Sequence, residues 1–158
     1  VTQPPTPMTH TLSLHDALPI YECVAPHVRE HARQAMDTWH EQGVTVICVS
    51  ATFEPIIERA MRDLPFDYQI STRMKVNYDG TYACEVDGVP VEGDRKMIEL
   101  RRFANAKWGE GGWELAASYG DHHSDRALLA GAKQGFAVCP DRPLGRTARE
   151  RGYQVLEW

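Results

Sequence analysis

Residues 44–61, VTVICVSATFEPIIERAM, change periodicity part-way along. Residues 44–50 are mostly β-branched and lack the polar alternation of a half-exposed strand, so they predict a strand buried on both faces. Residues 54–64 then place Ile56, Ile57, Ala60, Met61 and Leu64 at helical spacing, with Pro55 in a first turn that tolerates it. A buried strand running directly into an amphipathic helix is the unit of a parallel sheet with helical crossovers.

The alternation continues in both directions. Upstream, residues 26–43 set Val28, Ala32, Ala35, Met36 and Trp39 on one helical face, and Gly43 stands where such a helix ends. Downstream, residues 66–71 read as a short strand. Residues 74–86 (MKVNYDGTYACEV) read as a hairpin turning at Asp79 and Gly80, and residues 94–107 as an amphipathic helix. The last third reads as strand 113–119, helix 124–134, strand 136–139, helix 143–152 and strand 153–157. The predicted class is α/β, with a mainly parallel Rossmann-like sheet covered by helices on both faces and a small β-hairpin.

Composition narrows the functional classes. At 158 residues, 42% apolar and 25% charged, the chain has the length and make-up of one globular domain. A net charge of −5 argues against coating nucleic acid. No apolar run approaches the roughly 18 residues of a membrane span, and no Lys or Arg precedes Arg29 to form a signal-peptide n-region. Cys23, Cys48, Cys84 and Cys139 are widely spaced, which predicts reduced thiols and a cytoplasmic location.

The first residues differ from the rest. Residues 1–10 are Pro-rich and uncharged apart from a histidine. Residues 11–20, TLSLHDALPI, coincide with the translation of a common sequencing-library adapter, ACT CTT TCC CTA CAC GAC GCT CTT CCG ATC. The reading is therefore a non-native tail over 1–20 and a domain over 21–158. A genomic read running unbroken through codons 11–20 would contradict it.

In doubly wound sheets, ligands bind beyond the carboxyl ends of the strands. Three polar features stand there. Ser50, with Ala51 and Thr52, follows the strand at 44–50; a hydroxyl and the N–H groups of such a turn can hold a phosphate oxygen, or the serine can simply cap a helix. Gly120-Asp121-His122-His123-Ser124-Asp125 follows the strand at 113–119. Its two carboxylates are the hard oxygen donors Mg²⁺ requires, or one caps the next helix and the other complements its dipole. The adjacent His122 and His123 would point different ways on a turn, as exposed residues, and His27, His31 and His40 fall in or beside the first helix. Lys96, near a helix start in EGDRK, is a surface lysine by default; its order between Ser50 and Asp121 singles it out.

That succession resembles the haloacid dehalogenase superfamily, most closely its phosphoserine-phosphatase-like branch, from about Pro26 to the C-terminus. VSATFEPII resembles the branch's second motif, EGDRK its third, and YGDHHSD its fourth, followed by a similar ending, LLAGAKQGFAVCPDRPLGRTARERGYQVLEW. His122 departs from the Ser or Gly common at its position. The resemblance implies a Mg²⁺-dependent phosphomonoester hydrolase acting through an aspartyl phosphate. Ser50, Ala51, Thr52 and Lys96 would bind the phosphoryl group, Asp121 would bind Mg²⁺, and Asp125 would bind it or orient Lys96. The substrate would be a small phosphorylated metabolite or a phospholipid head group.

The family nucleophile belongs to a D-x-D-x-[TV] motif on the first strand, and no D-x-D occurs in these 158 residues. The resemblance therefore implies a partial core lacking that strand and the cap segment, inactive as given, with a gap or new edge in its sheet. A non-catalytic phospho-ligand-binding or receiver-like α/β module is the alternative.

Overall fold

Glu22 and residues 27–158 are described by the computed structural model. The tail at 1–20 and the predicted helix start at 26 lie outside the described residues. Helix α1 spans Glu30–Glu41 and stops ahead of Gly43, whose φ of +73° is the left-handed conformation a helix end favours. Strand β1 is Ile47–Phe53, helix α2 Glu54–Met61 and strand β2 Tyr68–Thr72. Strands β3 (Met74–Val76) and β4 (Tyr82–Val86) form the antiparallel hairpin, turning through Asp79 and Gly80 with Gly80 at φ +82°.

Helix α3 covers Asp94–Trp108 and strand β5 Ala117–Gly120. A 3₁₀ turn at His123–Asp125 leads into α4 (Arg126–Gly131), then β6 (Gln134–Val138), α5 (Arg142–Arg151) and β7 (Gln154–Leu156). The chain is thus α/β with parallel pairing, as the periodicity predicts. β1 pairs with β2, and β5, β6 and β7 pair in that order, all parallel.

Among the described residues these strands form two sheets, not one. β1 pairs along one edge with β2, and β5 along one edge with β6. Between their other edges lies a cavity of about 660 Å³, walled by 46–50 on one side and 115–121 on the other. Ala32, Met36 and Trp39 of α1, together with Lys96, Leu100 and Ala104 of α3, complete the lining.

The cavity corrects one expectation. The strand at 44–50 is displaced to Ile47–Phe53, and none of its residues is buried. Likewise the apolar face of α1 carries no buried residue, because it borders the cavity. The helix expected at 124–134 is also shorter. Lys133 and Gln134 donate to the carbonyls of Leu115 and Ala116 at 2.9 and 3.0 Å, so strand pairing overtakes the helix after Gly131.

Two apolar clusters hold the elements together. Leu129 of α4, Ala137 of β6, and Leu144 and Ala148 of α5 are almost fully inaccessible. Met97 and Leu100 of α3 meet Leu128 of α4, with Ile47, Val49, Ile70, Trp113 and Leu115 packed around them. The second cluster joins the two sheets through α3. Of the described residues, no helix is long and apolar enough to cross a membrane.

Candidate functional site

Helix α3 delivers Lys96 to the cavity from its first turn, and the turn after β5 delivers Asp125 to meet it. The Lys96 ammonium donates to Asp125 Oδ1 at 2.5 Å, and the two residues are only 8% and 7% exposed. Burying such a pair costs desolvation that its attraction seldom exceeds, so stability alone is a weak reason for it. The other carboxylate oxygen of Asp125, Oδ2, accepts the His122 N–H at 3.2 Å. Both oxygens are thus engaged, and Asp125 is neither an exposed decoration nor the side-chain cap of α4. The turn is capped by the His122 side chain, which accepts the Ser124 N–H at 3.3 Å.

Gly120 is required by this packing. A Cβ there would lie 2.5 Å from the Asp125 Cβ and 2.8 Å from its Oδ2. Only glycine lets the strand end approach the buried carboxylate so closely.

Ser50 lines the same cavity from β1. Its Oγ accepts the Thr52 N–H at 3.1 Å, and the cap position of α2 is Phe53, so Ser50 is not a helix cap. Ala51 and Thr52 are exposed, outside the cavity lining. Asp121 is exposed at the end of β5 and also lines the cavity. The structure therefore brings Ser50, Lys96, Asp121 and Asp125 to one space, with Ala51 and Thr52 beside it. Cys48, partly buried, also faces this space: desolvation pushes its thiol up to about 11, against the opposing pull of the Lys96 charge.

Sequence reasoning missed a second cluster. His122 and His123 are exposed, as expected, but they do not diverge: their ring centroids are 3.9 Å apart. His123 Nδ1 lies 2.9 Å and His122 Nε2 3.6 Å from Asp141 Oδ2. Asp141 caps α5 by accepting the Leu144 N–H at 2.7 Å. Desolvation alone would raise the Asp141 carboxyl, but its hydrogen bonds from His123 and Leu144 and the charge of His122 hold it at about 2. The signal available in sequence was Asp141-Arg142-Pro143, a cap followed by an early helical proline, which predicts the cap but not the histidines.

A donor set for Mg²⁺ is present in part. Asp121 offers an exposed carboxylate at the cavity mouth, and Mg²⁺ commonly takes one or two carboxylates, completing its shell with water and phosphate oxygen. The Asp121 carboxylate is a donor of the kind that ion takes.

Comparison with known proteins gives the family of the chain. The haloacid dehalogenase-like hydrolase family matches residues 13–130, a span whose start falls inside the adapter-like stretch. The "Inhibition of morphological differentiation protein" of Streptomyces azureus is 28% identical over 141 residues, covering 88% of this chain and 49% of that protein. A phosphoserine phosphatase of Lactococcus lactis is 30% identical over 115 residues, covering 72% of this chain and 51% of its own. The chain thus spans about half the length of these relatives. A Bordetella pertussis protein of unknown function shares the fold, with a TM-score of 0.79 at 20% identity, covering 92% of this chain and 68% of that one.

Proposed function

The chain belongs to the haloacid dehalogenase-like hydrolases, and from that premise we propose that it is the C-terminal part of a Mg²⁺-dependent phosphomonoester hydrolase. The observation that carries this reading is the convergence of Ser50, Lys96, Asp121 and Asp125 on a cavity between two parallel sheets. A strand entering between β1 and β5 would complete one parallel sheet. Its carboxyl end would then lie among those four residues, where doubly wound sheets hold their ligands.

In this account an aspartate on that strand attacks phosphorus as the bond to the substrate alcohol breaks, and the alcohol takes a proton from the second aspartate of the motif. That aspartate then accepts a proton from the water that hydrolyses the aspartyl phosphate to inorganic phosphate. Lys96 offsets negative charge on the transferring phosphoryl oxygens, and Ser50 donates a hydrogen bond to one of them. Asp125 is a positioning residue: its hydrogen bond fixes the Lys96 ammonium, and its other oxygen fixes the turn behind Asp121. Asp121 would hold Mg²⁺, which when bound neutralises charge on the phosphate. With no D-x-D in the 158 residues, the chain as given has no nucleophile and is inactive. The curated relatives include a phosphoserine phosphatase and a histidinol-phosphatase, which supports a small phosphorylated metabolite as substrate.

The test extends the chain upstream through the native locus and measures Mg²⁺-dependent release of phosphate from an aryl phosphate. The extended chain should turn over and the 158-residue chain should not. Asp121→Asn in the extended chain should lower kcat by at least about 100-fold, the scale of losing one electrostatic contact to the transition state. An extended chain that carries D-x-D-x-[TV] and stays inactive would refute the assignment.

A further inference from the structure

Outside the phosphate site, the described residues hold one group of three metal-ligating side chains: His122, His123 and Asp141. Their donor atoms all lie within 4.8 Å of one another. Neighbours in sequence rarely present both rings to one point, yet here both imidazoles face the same carboxylate oxygen, Asp141 Oδ2. We propose that His122, His123 and Asp141 form a second divalent-cation site, selective for borderline transition metals such as Zn²⁺, Co²⁺ and Ni²⁺.

The donor chemistry sets that selectivity. Imidazole nitrogen suits Zn²⁺, Co²⁺ and Ni²⁺, whereas Mg²⁺ prefers oxygen and keeps its waters. A site of two imidazoles and a carboxylate therefore sorts its ion from the oxygen site at Asp121. The ligands are also held in place. Asp141 Oδ1 is occupied by the Leu144 N–H, which orients Oδ2 toward the two rings. Ser124 Oγ lies 3.0 Å from His122 Nδ1; in the tautomer that carries the proton on Nδ1, the hydroxyl oxygen accepts that N–H in place of the Ser124 N–H cap and leaves Nε2 free to bind metal. All three side chains are partly open to solvent, so a hydrated ion can enter and keep water on its remaining positions.

The position gives the site a consequence. The Asp141 N–H donates to the Asp121 carbonyl at 2.8 Å. A cation bridging the His122–His123 turn to Asp141 therefore clamps the two loops that meet at Asp121. The cation replaces the ring proton that His123 shares with Asp141 and is held by His123 Nδ1, His122 Nε2 and Asp141 Oδ2.

Co²⁺ is the probe. It is titrated into the 158-residue chain in excess Mg²⁺, reading its visible d–d absorption together with calorimetric stoichiometry. One Co²⁺ per chain should bind. Asp141→Asn, which keeps an acceptor at the helix cap, should weaken binding more than about tenfold, as even an outer-shell partner can. The double variant His122→Ala, His123→Ala should abolish the absorption change, with circular dichroism confirming that it folds. Asp121→Asn should leave Co²⁺ affinity unchanged. Absence of saturable binding, binding that survives both cluster variants, or binding lost in Asp121→Asn would each overturn the proposal. Because the readout is metal binding and not turnover, it stands or falls separately from the phosphatase reading.

Discussion

The two parallel sheets among the described residues are built from similar sequence and end in different states. In the β5–β6–β7 sheet, β6 is paired on both edges, and Ala137 of β6, with Leu144 and Ala148 of the α5 helix packed on it, shows no exposure at all. In the β1–β2 sheet, β1 is richer in apolar residues around its start, yet it is nowhere buried. The difference lies in neighbours, not composition. Helices pack against both, but β6 has a strand on each side, whereas β1 has β2 on one side and a cavity on the other. A strand's sequence encodes the burial it needs, and only its partners supply it.

The largest effect should come where α3 joins the two sheets. Asp125→Asn leaves the buried Lys96 ammonium without its counter-charge, a loss of about 3–5 kcal/mol when one partner of a buried pair is removed. Urea unfolding measures it. A cost below about 1 kcal/mol would mean that the pair is solvated and behaves as a surface bridge. The next contrast lies between the core that α5 packs against β6 and the residues of β1. Leu144→Ala, at a fully inaccessible site, should cost about 2–5 kcal/mol. Val49→Ala, in half-buried β1, should cost about 1 kcal/mol or less, since only part of its side chain leaves water. Equal costs would erase the difference between the sheets.

The smallest effect is at the entrance to β1. Asp67 Oδ2 accepts the Val46 N–H at 2.7 Å and pairs with His40 Nε2 at 2.8 Å. Desolvation pushes the Asp67 carboxyl up, but those hydrogen bonds outweigh it and hold the group below its ordinary 3.8. A depressed carboxyl stabilises the fold fully above its unfolded value and loses that contribution as pH falls through the folded one. The gap in unfolding midpoint between the parent chain and Asp67→Asn should therefore be constant at neutral pH and close below pH 3.8. A gap that persists in acid would show that the hydrogen bonds do not depend on the carboxylate charge.

Much of this was legible in local sequence. The hairpin turn at Asp79 and Gly80, helix α3 and helix α5 follow from spacing and turn chemistry within a residue or so of their expected bounds. The frame of β1 was not, because Val46 is tied by its N–H and carbonyl to Asp67, 21 residues away, before the ladder starts at Ile47. The end of α4 was hidden likewise, since the carbonyls that capture Lys133 and Gln134 lie on the segment leading into β5. At the site, Ser50, Lys96, Asp121 and Asp125 could be picked out by their order along the chain. The convergence of His122 and His123 on Asp141 could not, because it spans 18 residues and reverses the divergence that a turn suggests.

The account turns on β1 and β5 being the two walls of a place for one strand. Amide hydrogen exchange, followed residue by residue in the 158-residue chain and in the chain extended through its native locus, tests this most directly. The account predicts fast exchange for those amides of Ile47–Phe53 and Ala117–Gly120 that face the cavity in the shorter chain, slowed at least about tenfold in the longer one, with β6 protected in both. Equal protection of β1 and β5 in the two chains would contradict it.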